Sequence, residues 1–192
     1  RTGRLSRPTR VGGAPCGLAY GAGSIWVENF RDFTVTRVSA GTGRVQHTYD
    51  VGFSPYDVTF AAGAAWVTNN GDGTVSRIDA TTGTVHTIRT GGTPVGIAPA
   101  GGLIWVGAGE AGIVAIDPAT SRVAHRIPTD GPAGWTAYDD EHVWVNAGAS
   151  VLRVDAATAT VDRTLAVGEH PADGSVLDGT VWVPDRYGLL YR

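Results

Sequence analysis

Residues 51–89 read VGFSPYDVTFAAGAAWVTNNGDGTVSRIDATTGTVHTIR, and four other stretches of the chain follow the same pattern. In each copy a Trp-Val pair stands eleven or twelve residues after a proline, and successive copies are 38 to 40 residues apart. The tryptophans are Trp26, Trp66, Trp105, Trp144 and Trp182, and the prolines are Pro15, Pro55, Pro94, Pro132 and Pro171. A period near forty, with short strand-like segments between glycine-rich turns, is typical of a propeller with one four-stranded blade per repeat.

The repeats predict an all-β fold, a five-bladed β-propeller of four-stranded antiparallel blades. The chain ends at residues 189–192, which align with 74–77, and it begins with residues 1–5, which align with 81–85. The N-terminal segment is therefore predicted to complete the last blade and close the ring, which would remove open sheet edges. Residues 1–192 are predicted to form a single domain, with blades at about 11–50, 51–89, 90–128, 129–166, and 167–192 plus 1–10. The alternative is a fragment of a six- or seven-bladed parent.

Composition narrows the classes of function. The net charge is −3 without blocks of like charge, which disfavours a nucleic-acid partner. No stretch reaches the roughly 20 apolar residues of a membrane helix, so membrane insertion is not expected. The single cysteine, Cys16, excludes an internal disulfide; we expect a buried apolar residue there, with a reactive thiol as the alternative. The absence of Met indicates a processed or excised chain and, with the Arg-, Ala- and Gly-rich composition, a secreted, periplasmic or cell-surface bacterial protein.

Two polar residue types recur with the repeat. Asp79, Asp117 and Asp155 occupy one position before a turn, where a carboxylate bonds the backbone ahead of it, and they are predicted to form turns. The recurring arginines are predicted to lie along exposed blade surface: Arg37, Arg77, Arg153 and Arg192.

Three further segments carry a resemblance to a known family. They are Pro94 to Ala98, Ile104 to Val106 and Thr74 to Val85, which together read P-x-x-I-A, I-W-V and T-V-x-R-I-D-x-x-T-G-x-V. This pattern resembles the YVTN-type repeat of bacterial surface and periplasmic propellers and is similar to the blades of streptogramin B (virginiamycin B) lyases.

The lyase resemblance implies a site at one mouth of the ring, with histidines directly after the entry-turn proline, acidic residues just after the Trp strand, and a divalent metal. The residues that follow the prolines here are Cys16, Tyr56, Val95, Ala133 and Ala172. Among the positions after the Trp strand, only Glu28 is acidic. The family pattern thus predicts no complete catalytic set.

The entry turns and the loops after the Trp strands are expected on one face, because the first strand of a blade runs away from that face and the second returns. A site built from several loops around an axis is the usual arrangement in propellers. Asp57 and Asp173 stand near the expected axis and suit a cation or a basic ligand. Trp135 lies off the period; we expect it in the core, or beside Tyr56 as an aromatic wall for a ring-bearing or sugar ligand. The candidate ligand-binding residues are Glu28, Tyr56, Asp57, Asn69, Trp135, Asn146, His170, Asp173 and Asp185.

We therefore predict a non-enzymatic, monomeric propeller that binds an unknown small molecule or protein at this mouth, with no cofactor, no metal site and no catalytic residues assigned. The alternative is a metal-assisted lyase or hydrolase acting on a cyclic or lactone substrate through Glu28, Asp57, Asp173 and His170. A quinone-dependent dehydrogenase ranks last, because no motif for that cofactor is present.

Overall fold

The computed structural model describes residues 7–139, 141–168 and 171–192. Within these ranges the chain forms nineteen β-strands in five antiparallel sheets, four with four strands and one with three. Each strand is hydrogen-bonded to the strands before and after it in its sheet, so every sheet is an up-and-down meander. The described residues include no helix with the length and apolar character needed to cross a membrane.

The five sheets follow the chain in order. Sheet 1 consists of β1 (Pro15–Gly21), β2 (Ser24–Asn29), β3 (Thr34–Ser39) and β4 (Val45–Asp50). Sheet 2 consists of β5 (Pro55–Ala61), β6 (Ala64–Asn69), β7 (Thr74–Asp79) and β8 (Val85–Arg89). Sheet 3 consists of β9 (Ile97–Ala100), β10 (Leu103–Gly107), β11 (Ile113–Asp117) and β12 (Arg122–Ile127). Sheet 4 consists of β13 (Ala133–Tyr138), β14 (His142–Ala147), β15 (Ser150–Asp155) and β16 (Thr160–Ala166), and sheet 5 of β17 (Ser175–Leu177), β18 (Thr180–Pro184) and β19 (Leu190–Tyr191).

Tight turns connect the first two strands of a sheet. In sheet 2 the two turn residues, Ala62 and Gly63, have φ of 48° and 72°. Two consecutive positive φ angles define a type I′ turn, whose twist matches that of the flanking strands. Between the third and fourth strands, Asp79 accepts hydrogen bonds from the backbone N–H groups of Thr81 and Thr82, each at 2.9 Å. These bonds lower the pKa of Asp79, and the predicted turn role is confirmed.

The periodic tryptophans fill the seams, which are the contact zones between one sheet and the next. Trp26 stacks on Phe60 of sheet 2 with ring centroids 5.9 Å apart. Trp66 packs in one cluster with Ile104 of sheet 3, and Trp105 is likewise fully buried. The indole N–H of each of these three tryptophans donates to the backbone carbonyl five residues earlier, at 3.1 to 3.2 Å. The repeated Trp therefore has a structural role at these seams, where it fills the space between neighbouring sheets.

The recurring arginines do not lie free on the surface. Their guanidinium groups stand over the indole rings of their own sheets, with centroid distances of 4.8 Å for Arg37 over Trp26, 5.6 Å for Arg77 over Trp66, 5.6 Å for Arg153 over Trp144 and 5.9 Å for Arg192 over Trp182. The first three arginines are half-buried. For these three the prediction of an exposed position was wrong, because each opposes the tryptophan across the β-ladder, where a cation is attracted to the ring face. Arg192 is exposed, as predicted.

Sheet 5 differs from the other four. Its last strand, β19, has two residues, and no fourth strand pairs with it among the described residues. The alignment of residues 1–5 with 81–85 places that fourth strand at about residues 5–9, the counterparts of β8. Residues 1–6 lie outside the described ranges, and residues 7–10 form no strand. Four-stranded antiparallel sheets are thus confirmed for sheets 1 to 4, while closure of the ring by the N-terminal segment stays a prediction.

Candidate functional site

A cavity of about 280 Å³ opens where the five inner strands begin. The inner strands, which are the first strands of the five sheets, lie side by side in chain order. Every sheet contributes two residues near the start of its inner strand to the wall. The lining residues are Cys16, Gly17, Tyr56, Asp57, Val95, Gly96, Trp135, Thr136, Asp173 and Gly174. The cavity, called the central cavity below, therefore brings together Tyr56, Asp57, Trp135 and Asp173 of the predicted site.

Asp57 is the most constrained carboxylate of the central cavity. Its Oδ1 accepts from the backbone N–H of Val58 at 2.8 Å, and its Oδ2 accepts from that of Ile97, in sheet 3, at 3.1 Å. Burial raises the pKa of Asp57 to about 6, against these hydrogen bonds, and the charges of Asp173 and Glu28 add to the rise. The side chain thus ties two sheets together and changes its protonation state near neutral pH.

Glu28 lies fully buried behind the lining residues of sheet 1. Its Oε2 accepts from the backbone N–H of Gly17 at 3.1 Å. Its Oε1 has no hydrogen-bond partner among the described residues. Burial raises the pKa of Glu28 above its ordinary value, because a buried charge without full compensation is unfavourable.

Cys16 is exposed at the edge of the cavity, so the expectation of a buried cysteine was wrong. It begins the inner strand of sheet 1, at the mouth, where the side chain faces solvent and not a seam. The thiol donates to the backbone carbonyl of Ala14 at 3.4 Å. Partial desolvation raises its pKa, and the neighbouring Glu28 carboxylate raises it further. A thiol with a raised pKa is a weak nucleophile at neutral pH.

Trp135 belongs to both the core and the cavity. It is 7% exposed, packs in the cluster between sheets 4 and 5, and also lines the central cavity. Its six-membered ring lies against Gly174, where a Cβ would come within 2.5 Å of the ring, so that position requires glycine. The indole Nε1 of Trp135 and the Oγ1 of Thr136 have no hydrogen-bond partner among the described residues. Sheet 4 therefore presents two unpaired donors beside the cavity.

The remaining lining residues set the charge of the mouth. Asp173 is exposed, and the side chain of Tyr56 is 53% exposed. Neither arginine nor histidine is among the lining residues found in the described part of the chain. The central cavity is consequently negative, with aromatic surface from Tyr56 and Trp135.

Three predicted site residues lie elsewhere. Asn69 is fully buried, and its Nδ2 donates to Thr74 and Ser76 of its own sheet at 2.9 Å each. Asn146 is half-buried beside Gly134. Asp185 accepts from the backbone N–H groups two and four residues ahead, at 2.9 and 2.8 Å, which shapes the loop after β18.

Asn69 and Asp185 bond within their own sheet and loop, the buried Oδ1 of Asn146 has no partner among the described residues, and none of the three lines the central cavity. His170 lies outside the described residues. Conversely, Cys16, Gly96 and Thr136 line the cavity without having been predicted as site residues. Their position at the starts of the inner strands was the available signal.

Comparison with known proteins gives a family and a fold. The model of a family described as "Domain of unknown function (DUF5074)" matches residues 57–174. A search of curated proteins found no match to the sequence.

Two solved structures resemble the chain. The structure titled Kuenenia stuttgartiensis Hydrazine Synthase is 18% identical with a TM-score of 0.80, and the match covers 97% of this chain and 60% of that one. Apo AztD from Citrobacter koseri is 13% identical with a TM-score of 0.64, and the match covers 81% of this chain and 48% of that one. The chain thus spans about half to three fifths of these proteins. At such identities the likeness shows the fold alone, and it supports a β-propeller.

Proposed function

The chain belongs to the DUF5074 family of domains of unknown function, and we propose that it is a β-propeller domain that binds a ligand in the central cavity without chemical turnover. The observation that carries the proposal is the convergence of all five inner strands on one cavity that holds a half-buried carboxyl with a raised pKa, Asp57. Concave sites with a few convergent polar groups and perturbed pKa values are the usual ligand sites of proteins.

The construction of the wall supports binding rather than simple packing. Seven buried polar atoms have no partner among the described residues, and three of them belong to the cavity wall or lie directly behind it: Glu28 Oε1, Trp135 Nε1 and Thr136 Oγ1. Buried polar atoms in folded proteins are nearly always paired. A ligand that supplies the missing partners would recover this lost hydrogen bonding.

The single cysteine gives a direct test. Cys16 is exposed at the cavity edge, so an occupant of the cavity should slow its alkylation by iodoacetamide. We would measure the alkylation rate by mass spectrometry with glucose, acetate, cyclohexanol, cyclohexylamine or Ca²⁺ present. We expect at least one probe to slow the reaction in the wild type and in Asp50→Asn, whose side chain is exposed on β4, but not in Asp173→Asn. Unchanged rates with every probe would contradict the proposal.

A second candidate function, a metal-assisted lyase or hydrolase acting on a cyclic lactone, has one observation in its favour. Asp57, with a pKa of about 6, is suited to take and return a proton near neutral pH, and Asp173 lines the same cavity. The resemblance of the repeats to streptogramin B lyases motivates the substrate class. Incubation of a streptogramin B lactone with the protein and Mg²⁺ distinguishes the outcomes: elimination opens the ring without a change in mass, hydrolysis adds one water, and a binding protein leaves the ring intact.

We also propose that the five sheets form a closed five-bladed ring and that the N-terminal segment supplies the fourth strand of sheet 5. The support comes from a contact that repeats along the chain. Thr9 Oγ1 donates to the carbonyl of Gly43 at 2.5 Å. One repeat later, Tyr49 of the outer strand β4 lies against Gly83, the corresponding glycine. Thr9 thus lies where an outer strand of a preceding sheet would lie.

Disulfide trapping tests the closure. By the register of β3 with β4, Thr9 should face Leu190, so Thr9→Cys with Leu190→Cys, in a Cys16→Ser background, should oxidise to an intramolecular disulfide. The control pair is Thr9→Cys with Asp117→Cys, which is not expected to cross-link. A ring closed in this register would be contradicted if the two cysteine pairs oxidise equally, or if neither pair oxidises.

The remaining assignments are proposals that rest on sequence pattern. They are a single domain over residues 1–192, membership of the YVTN-type repeats, a monomeric state and a secreted, periplasmic or cell-surface location. Light scattering of the purified chain tests the monomer, for which a mass of 19.9 kDa is expected.

A further inference from the structure

We infer that the ligand of the central cavity is a small organic cation that carries an ammonium group next to a hydroxyl or carbonyl oxygen. This inference rests on the proposed function and specifies the class of ligand. It follows from the charge, the unpaired donors, the aromatic surface and the size of the cavity.

Charge is the first argument. Asp57 and Asp173 line the cavity from sheets 2 and 5, and the fully buried Glu28 of sheet 1 lies behind Gly17. The charges of Asp173 and Glu28 act on Asp57 unfavourably. An ammonium group between these carboxylates would replace that repulsion with charge-assisted hydrogen bonds, which are stronger than neutral ones.

The unpaired donors are the second argument, and they come from a different sheet. Trp135 is more than nine-tenths buried and lines the cavity, yet its Nε1–H has no acceptor among the described residues. Thr136, the next residue, also lines the cavity with a buried, unpaired Oγ1. Successive side chains of a strand point to opposite faces, and Trp135 is the one that packs toward sheet 5. A bare cation cannot accept a hydrogen bond from its indole N–H, whereas an oxygen on the ligand can. The wall therefore favours a ligand with a positively charged donor on one side and a hydrogen-bond acceptor on the other.

Shape and surface narrow the class further. At about 280 Å³ the cavity lies at the small end of ligand clefts and has room for roughly ten non-hydrogen atoms. Tyr56 and Trp135 supply aromatic faces, which attract organic ammonium groups. Among the residues the structure describes, no three His, Cys, Asp or Glu side chains lie close enough together to hold a metal ion. Metal binding is kept as a competing outcome of the test.

Three matched probes separate the contributions: trans-2-aminocyclohexanol, cyclohexylamine and cyclohexanol. Isothermal titration at pH 7.5 should give affinities in that order, with the amine at least tenfold tighter than the alcohol. The amino alcohol should bind a further several-fold tighter, because its hydroxyl accepts from the indole N–H of Trp135. Glucose and Ca²⁺ serve as the neutral and metallic comparisons.

Variants locate the binding. Asp57→Asn and Asp173→Asn should each weaken cyclohexylamine binding at least tenfold, while Asp50→Asn, an exposed carboxylate on β4, should leave it unchanged. Asp173 is exposed, so its variant is expected to fold even if Asp57→Asn does not. Trp135→Phe should remove the advantage of the amino alcohol over cyclohexylamine and leave most of the amine affinity.

The outcomes distinguish the two proposals. One outcome is that cyclohexanol, glucose or Ca²⁺ binds as tightly as the amines and protects Cys16, and that this binding is lost in Asp173→Asn. The inferred ligand class is then wrong, while the proposed binding site is supported. If amines bind but Asp57→Asn and Asp173→Asn bind them like the wild type, the inference is overturned because the amines bind elsewhere. If no probe binds or protects Cys16, both proposals fail.

Discussion

The seams at Trp26, Trp66 and Trp105 and the central cavity are built from the same repeats, yet their indole N–H groups are satisfied differently. At the seams Trp26, Trp66 and Trp105 are fully buried and each indole N–H is hydrogen-bonded to a carbonyl of its own sheet. In the cavity, Trp135 is also buried, but its indole N–H has no partner among the described residues. The indole N–H groups of these three seams are therefore satisfied from within the chain. Those of Trp135 and of the periodic Trp144, both in the cluster between sheets 4 and 5, have no partner among the described residues.

The seam at Trp66 should contribute more to the free energy of unfolding than the central cavity does. Replacing Trp66 by Ala removes a fully buried indole and its hydrogen bond to Ala61, and we expect a loss of about 3–5 kcal/mol in the free energy of unfolding. Urea denaturation followed by circular dichroism measures it. Trp66→Phe, which keeps most of the apolar volume, is the control and should lose clearly less. A loss below about 1 kcal/mol for the alanine variant would mean that the seams do not hold the sheets together.

Ionisation of Asp57 in the central cavity should instead destabilise the folded protein as the pH rises toward neutral. The pKa of Asp57 rises from 3.8 to about 6 on folding, so between these values the folded state keeps a proton that the unfolded state has lost. Stability therefore falls as the pH rises through this window, by about 3 kcal/mol, and is then constant above it. The raised pKa of Glu28 acts in the same direction. Turn carboxylates such as Asp79, whose pKa is lowered from 3.8, stabilise the folded state above this pH and lose that effect only at lower pH.

Unfolding by urea at pH 4.5 and 7.5 checks this prediction. Asp57→Asn should shrink the difference between the two pH values, because asparagine does not titrate. Its absolute stability is not the readout, since the amide can replace only one of the two hydrogen bonds that Asp57 accepts from Val58 and Ile97. An unchanged pH dependence in the variant would show that Asp57 is not the titrating group.

The seam at Trp182 of sheet 5 should contribute less to stability than the seam at Trp66. Trp182 occupies the periodic position in sheet 5 but is only half-buried, unlike Trp66. Trp182→Ala should therefore cost about 1–2 kcal/mol, less than Trp66→Ala, in proportion to the smaller apolar area it buries. The same denaturation experiment measures both variants. Equal losses would mean that Trp182 is covered as completely as Trp66 in solution, which would contradict the half-buried position of its side chain.

The seams could be predicted from sequence, and most of the cavity could not. A buried Trp in every repeat leaves a periodic signal, because each seam poses the same packing problem. Asp57, Asp173, Tyr56 and Trp135 were identifiable by their place at the starts of inner strands. Cys16 was misjudged because whether a single small residue faces a seam or a mouth depends on the sheet and leaves no pattern in the chain.

The arginines were misjudged for a related reason. Recurrence of Arg37 and its counterparts signalled a repeated role, but their partner lies across the β-ladder, and ladder register is not readable from one strand. Asn69 and Asp185 were assigned to the site because they follow the Trp strand. Buried Asn69 instead bonds Thr74 and Ser76 within its sheet, so loop position alone did not separate structural from exposed polar residues.

Replacement of Arg37, at the seam between sheets 1 and 2, should give one of the smaller losses of stability and tests a single set of contacts. Arg37 lies 4.8 Å from the ring of Trp26, and it also donates to Ser24 Oγ at 3.0 Å and to the carbonyl of Ala80, beyond the seam, at 2.7 Å. Arg77 stacks at 5.6 Å and is paired with Asp79 of its own sheet. Arg37→Ala should therefore cost about 1–2 kcal/mol, and Arg77→Ala about 0.5–1 kcal/mol.

The difference between the two arginines isolates the bond that crosses the seam. Arg37→Lys keeps a charge over Trp26 but loses the planar fork that reaches both Ser24 and Ala80, so it should recover only part of the loss. Denaturation in 0.1 M and 1 M NaCl adds a second readout, because salt screens exposed charge pairs more than a buried bond to a carbonyl. If Arg77→Ala costs as much as Arg37→Ala, stacking on the tryptophan alone explains the recurring arginine, and the bond to the next sheet adds nothing to the seam.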